Sequence, residues 1–141
     1  MIIQKSIEYE IEKHFYMHKR EKAEIENLRR EIAEDITPSI DGVGGGSGVS
    51  DPTTAKAMRI ERETKTLRSW IKVVEETYAH YSNDERFAMK ARFIDLYYGE
   101  GYSAPEVQRQ LSLSTSAFYA WRQDILIYAA IKASALNLIT V

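Results

Sequence analysis

The sequence of 141 residues has no cysteine, only three prolines and no long apolar run. Without cysteine, disulfide bonds, zinc sites with thiolate ligands and cysteine nucleophiles are excluded. A membrane-spanning helix needs roughly 20 consecutive apolar residues, and a signal peptide needs a shorter apolar core near the start. Neither pattern is present. We therefore expect a soluble, cytoplasmic protein with no membrane partner.

A strong net charge is also missing, since 19 basic residues oppose 21 acidic ones and the formal net charge is −2. From residue 82 onward the chain has six residues of each sign. Proteins that bind nucleic acid without regard to sequence usually carry a general positive field. If DNA is the partner, its contact must be local, and binding must depend on base sequence or on a second protein.

Apolar residues spaced three or four apart dominate the N-terminal part. In the first stretch they are Ile3, Ile7, Ile11, Phe15, Ile25, Leu28, Ile32 and Ile36. This spacing predicts an amphipathic helix from about Ile3 to Asp35. The pattern weakens between His18 and Glu24, where the helix should bend or leave its stripe in water. A second long helix is predicted from Pro52 to about Tyr81, with the alternating four-three spacing of a coiled coil.

The segment between these helices is rich in glycine, with the sequence GVGGGSG at residues 42–48. Pro38 ends the first helix, and Asp51 followed by Pro52 is a favourable start for the second. We predict a flexible loop over about residues 37–50. The two helices would pack as an antiparallel hairpin within residues 1–81, or pair across a homo-oligomer. An all-α fold follows, with a separate region at residues 82–141.

The sequence of residues 82–141 predicts three helices. Ser82 to Glu85 supply caps for the first, and Gly99 to Gly101 break it. Ser103 is an N-cap with Glu106 as its capping-box partner, so a short helix begins there. Ser112, Leu113 and Ser114 have the length of the turn in a helix-turn-helix, and Ser114 can cap the helix that follows.

This last helix has an inward stripe of Phe118, Trp121 and Ile125, which leaves a polar face. The residues expected on that face are Thr115, Ser116, Tyr119, Arg122 and Gln123. Arginine suits guanine, glutamine suits adenine and hydroxyl groups suit either, so this face is the predicted DNA-reading surface. The apolar C-terminal tail from Ile125 to Val141 should either close the core or form a subunit interface.

Residues Leu96 to Arg122, LYYGEGYSAPEVQRQLSLSTSAFYAWR, resemble the DNA-binding part of RinA/ArpU-type bacteriophage transcriptional regulators, which is similar to region four of bacterial sigma factors. The glycine-rich stretch leading to SDPT at residues 50–53, and the basic helix after it, resemble that family as well. The resemblance implies an activator of phage late genes that acts at promoter DNA in a bacterial host, together with host RNA polymerase.

The sequence contains no complete catalytic or metal-binding motif. The glycine-rich stretch lacks the Lys-Ser or Lys-Thr of a phosphate-binding loop. His14 and His18 could share a helix face, but no third ligand is evident, so a surface pair is predicted. No nucleophile elbow and no distinctive pair of carboxylates occur. We expect no enzyme activity, no metal and no cofactor.

Two alternatives to a transcriptional regulator remain open at this stage. Small terminase subunits of phages also combine a helix-turn-helix with long oligomerising helices, and would recognise a packaging site instead of a promoter. A helical adaptor would use its long helices to bind another protein, with the C-terminal helices serving only stability. Assembly into a ring would favour the terminase subunit. Surface variants that lose DNA binding but keep partner binding would count against the adaptor.

Overall fold

The computed structural model describes residues 3–36 and 52–140. The predicted glycine-rich loop at about residues 37–50, and Asp51 as a helix cap, lie outside the described residues. Over the described ranges the chain is helical and contains no strand, so the all-α class is confirmed. Of the helices in these ranges, none is both long enough and apolar enough to cross a bilayer.

Six α-helices and two short turns make up the described part of the chain. They are α1 (Lys5–Tyr16), α2 (His18–Ile36), α3 (Pro52–Ser82), a 3₁₀ turn (Glu85–Phe87), α4 (Ala88–Ile94), a π-helical turn (Asp95–Gly99), α5 (Ala104–Leu111) and α6 (Thr115–Ala135). Asp84 caps the 3₁₀ turn by accepting a hydrogen bond from the backbone N–H of Arg86 at 2.9 Å. The helix predicted to start near Ser82 is therefore built from three short pieces.

The long N-terminal helix is broken at Met17, at the edge of the segment where the apolar pattern weakens. Met17 has φ −96° and ψ 7°, outside the helical region. Across this break, His14 Nδ1 and Glu21 Oε1 lie 2.6 Å apart, and both side chains are buried. The His14 ring stacks on Trp70 of α3, with ring centroids 4.1 Å apart. At this break the buried positions are occupied by the polar pair His14 and Glu21 instead of by further apolar residues.

Helices α2 and α3 pack against each other in opposite directions within one chain. Lys22, early in α2, lies 3.6 Å from Glu75, late in α3, whereas Glu31 lies 3.0 Å from Lys56 near the start of α3. These pairs are largely exposed and contribute little to stability. Packing of α2 on α3 therefore depends on apolar contacts.

One hydrophobic core joins the two predicted regions. Its fully or almost fully buried members come from α1, α3, α4, α5 and α6, and include Ile11, Phe15, Val73, Phe93, Val107, Phe118 and Ile125. The apolar C-terminal part of α6 closes this core, because Ala129, Ala130 and Ala133 are fully buried. α1 also packs on α6, where Glu12 and Arg122 are in contact although they are 110 residues apart in sequence.

Candidate nucleic-acid interface

Helices α5 and α6 are joined by a three-residue turn, and each begins at a serine. Ser103 Oγ accepts a hydrogen bond from the backbone N–H of Glu106 at 3.4 Å. Ser114 Oγ accepts one from the backbone N–H of Ala117 at 3.1 Å. Such caps satisfy N–H groups that have no partner inside the helix. Both helix starts are therefore defined by local sequence.

The turn between these helices uses a serine where glycine is more usual. Ser112 has φ 54° and ψ 46°, the left-handed conformation, which costs a non-glycine residue about 1 kcal/mol. The backbone N–H of Leu113 donates to the Gln108 carbonyl at 2.8 Å and closes the end of α5. This conformation lets α6 leave in a new direction after only three residues.

The orientation of α6 on α5 is held by both apolar and polar contacts. Val107 and Leu111 are buried in the same core as Phe118. The Phe118 ring lies 4.9 Å from that of Phe93, measured between centroids. Thr115 Oγ1 donates to Gln108 Oε1 at 3.1 Å and links the two helices at the surface. The first turns of α6 are therefore held in place by core packing on one face and by a surface hydrogen bond to α5.

The first two turns of α6 present a polar but uncharged surface to solvent. Thr115, Ser116, Tyr119 and Ala120 are all exposed, and the exposed fraction of Tyr119 is 53%. No charged residue occurs from Thr115 to Ala120. The N-terminus of a helix carries partial positive charge and free N–H groups, which favour phosphate oxygens. Hydroxyl groups beside it are suited to base edges or phosphates.

Arg122 does not lie on this surface, and the expectation that it is exposed is wrong. Its side chain is only 20% exposed and packs between α6 and α1. Nε donates to Glu12 Oε2 at 3.1 Å, Nη2 donates to Glu12 Oε1, and Glu8 lies 3.8 Å away. Gln123 is half-buried as well. The reason is the docking of α1 on α6, which no local pattern could predict.

Arg122 and Glu12 belong to a polar cluster that also includes Tyr98. The hydroxyl of Tyr98 donates to Glu12 Oε2 at 2.8 Å. Burial, and then the carboxylate of Glu12, hold the pKa of Tyr98 well above its usual value. Burial disfavours the charged form of Arg122, but its hydrogen bond to Glu12 and the nearby charges outweigh this effect and raise its pKa. The guanidinium is therefore a permanently charged link between α1 and α6.

Cations that could reach phosphates are few around this surface. Arg109 of α5 has a 76% exposed side chain, and its Nη2 donates to Glu106 Oε1 at 2.6 Å. Arg92 of α4 is exposed too. By contrast, Lys90 binds Asp124 at 2.9 Å and lies 5.8 Å from the centroid of the half-buried Trp121 ring. Sequence reasoning missed Arg109, although its position before the turn was a usable signal.

The two N-terminal histidines do not form the predicted surface pair, because His14 is buried against Trp70 and Glu21. His18 is half-buried, and burial lowers its pKa. Over residues 3–36 and 52–140, no group of three or more histidine or acidic side chains is arranged to hold a metal ion.

No protein-family model, no curated protein and no solved structure matches this chain. Any functional assignment therefore depends on the geometry described above and on the resemblance in sequence.

Proposed function

We propose that the protein is a sequence-specific DNA-binding regulator whose reading helix is α6. The observation that carries this proposal is the pair of capped helices, α5 and α6, joined by the three-residue turn at Ser112 to Ser114 and packed on a common core. In a helix-turn-helix, the second helix enters the major groove and its N-terminal residues contact bases. The exposed start of α6 has the length and the residue types for this role.

Within that arrangement, Thr115, Ser116 and Tyr119 are the residues proposed to contact bases or phosphates. Arg109 is proposed to contact a phosphate beside them. Arg122 is better suited to holding α1 and α6 together, because reaching DNA would require it to leave the Glu12 carboxylate. Gln123, which is half-buried, would contribute at the edge of the interface.

From α4 to α6, residues 88–135, only Arg92 and Arg109 are exposed cations, which predicts weak general affinity for DNA through this surface. Each neutralised phosphate contributes about −0.9 to the slope of log affinity against log salt. Two exposed arginines, Arg92 and Arg109, therefore predict a slope of about −2 per protein chain. Binding this weak would need base contacts, a second copy or a second protein to become specific. The resemblance to phage late-gene activators suggests host RNA polymerase as that second protein, in the cytoplasm of a bacterial cell.

A second candidate function is a helical adaptor without enzymatic activity or cofactor. It is favoured by one observation, the internal pairing of Arg122, which leaves an uncharged surface on α6. A terminase-like subunit that recognises a packaging site would use the same helices and differ in the DNA fragment that it selects.

The test is a gel shift of the purified protein against fragments of its source genome at two salt concentrations. Retention of one promoter-proximal fragment, with a shallow salt slope, would support the regulator. Retention of a packaging-site fragment would favour the terminase alternative. Failure to retain any fragment, with and without RNA polymerase, would favour the adaptor.

A matched pair of tyrosine variants makes this test specific to α6. Tyr119→Ala should weaken binding to the selected fragment about tenfold, since one good base contact is worth about 1–3 kcal/mol. Tyr9→Ala is the control, because Tyr9 of α1 is 73% exposed and lies outside the proposed interface. Equal affinities of the two variants would contradict the assignment of α6 as the reading helix.

A further inference from the structure

A cavity of about 350 Å³ lies where α1, α2, α3, the end of α4 and the π-helical turn meet. Phe15, Val74, Ile94 and Tyr98 form its apolar interior. Small-molecule sites in proteins are typically about 300–1,000 Å³, mostly apolar, with a few polar groups. This cavity has the size and the lining of such a site, and it is separate from the proposed reading surface of α6.

The polar rim of the cavity includes two carboxylates, Asp95 of the π-helical turn and Glu75 of α3. Asp95 Oδ2 accepts a hydrogen bond from the hydroxyl of Tyr78 at 3.1 Å. Lys22 lies 3.6 Å from Glu75, outside the group of lining residues, and Lys19 on the rim is exposed. Aromatic rings beside carboxylates form a favourable environment for an organic cation.

His18 lines the cavity and has an unsatisfied polar atom. Its Nδ1 is buried and has no hydrogen-bond partner among the described residues. Buried polar atoms are rarely left unpaired, so this nitrogen has an unused capacity for a hydrogen bond. Burial lowers the pKa of His18, so its ring is neutral and can accept a hydrogen bond.

The π-helical turn places this cavity next to the cluster that holds α6. π-Helical turns are rare and are frequently found at functional sites. Here the turn carries Asp95 on the rim and Tyr98 in the wall. The hydroxyl of Tyr98 binds Glu12, which in turn binds Arg122 of α6. A molecule in the cavity would therefore touch a residue one hydrogen bond away from the Glu12–Arg122 ion pair.

We propose that this cavity binds a small organic amine with an apolar body, its ammonium group held by Asp95 and Glu75. Its occupancy would change the packing of Tyr98, and hence the position of α6. The binding step stands on the cavity alone, whereas a regulatory role for it rests on the proposed DNA-binding function.

Binding can be tested by calorimetric titration of the whole chain with three compounds of similar size. These are 2-phenylethylamine, the neutral 2-phenylethanol and the anionic 3-phenylpropionate. We expect the amine to bind about tenfold more tightly than the alcohol, since a hydrogen bond to a charged group is worth about 1.5 kcal/mol or more. Equal affinities for amine and alcohol, or no binding of the amine at millimolar concentration, would overturn the proposal.

Two variants and a matched control locate the site. Asp95→Asn should reduce amine affinity about tenfold, and Asp124→Asn, which alters a carboxylate paired with Lys90 elsewhere, should leave it unchanged. Val74→Phe should abolish binding by filling the cavity, with thermal unfolding as a check on its fold. Undiminished affinity in Asp95→Asn would overturn the assignment to this cavity.

The coupling to α6 has its own readout, which needs no DNA. The side-chain Nε–H resonance of Arg122 should shift on addition of the amine, since Arg122 and Tyr98 share Glu12. A shift without any effect on DNA retention would oppose the regulatory role but preserve the site. An unchanged resonance at saturating amine would refute the coupling.

Discussion

The ion pair between Arg122 and Glu12 provides the sharpest test of how α1 packs against α6. The perturbation is Arg122→Met, which keeps most of the aliphatic stem and removes the charge. The side chains of Arg122 and Glu12 are 20% and 16% exposed, so the pair is neither fully buried nor at the surface. Exposed pairs contribute about 0.2–1 kcal/mol, and breaking a fully buried pair costs about 3–5 kcal/mol.

An intermediate loss of about 2 kcal/mol in the free energy of unfolding is therefore expected for Arg122→Met. In a chain of this size it would lower Tm by about 6 °C. Much of this cost arises because the Glu12 carboxylate stays buried without its partner. The double variant Arg122→Met/Glu12→Gln should therefore be more stable than the sum of the two single effects predicts, by about 1 kcal/mol.

The assay is urea unfolding of the parent, both single variants and the double variant. Arg86→Met is the control, since Arg86 also pairs with a carboxylate, Asp84, but is largely exposed. It should unfold like the parent. Strictly additive effects of the Arg122 and Glu12 changes, or parent-like stability of Arg122→Met, would refute the packing of α1 on α6 described above.

Four further predictions concern the stability of the fold. His14→Phe should keep the stacking on Trp70 but leave Glu21 buried without a partner, which should lower the free energy of unfolding by about 1–3 kcal/mol. Adding Glu21→Leu should recover part of that stability, and no recovery would contradict the buried pair. Ser112→Gly should raise stability by about 0.5–1 kcal/mol by relieving the left-handed conformation, whereas Ser69→Gly inside α3 should lower it. A stabilising effect at both serines would rule out that explanation. Phe118→Ala should lower the free energy of unfolding by about 3–5 kcal/mol and Tyr119→Ala by much less, as thermal unfolding can measure. Similar losses for both variants would mean that α6 is rotated about its axis relative to the structure described here. Finally, burial raises the pKa of Tyr81 to about 12 from 10.0, so its contribution to stability should be constant below pH 10 and fall between pH 10 and 12, because the unfolded chain releases a proton that the folded one keeps. The difference in stability between the parent and Tyr81→Phe should therefore change over this range, and a constant difference would contradict the burial of this phenol.

Features that depend on neighbouring residues could be predicted from the sequence. The serine caps of α5 and α6 are examples, because the cap and the N–H group that it binds are three residues apart. The interrupted apolar spacing at His18 and Lys22 allowed either a bend or an exposed stripe, and the structure has a break at the neighbouring Met17. The π-helical turn escaped prediction, because no spacing of polar and apolar residues distinguishes it from ordinary α-helix.

The sequence by itself determined the all-α class, the starts of α5 and α6 and the polar character of the first turns of α6, since these follow from local hydrogen bonding and from the period of apolar residues. Only the tertiary structure decided which polar side chains stay in water. Arg122 has the helical position of a reading residue, yet the docking of α1 gives it Glu12 as a partner from the other end of the chain. The cavity beside Tyr98 has the same origin, since residues of five elements enclose it. Contacts between residues distant in sequence depend on how whole helices pack, and that packing is a property of the complete core.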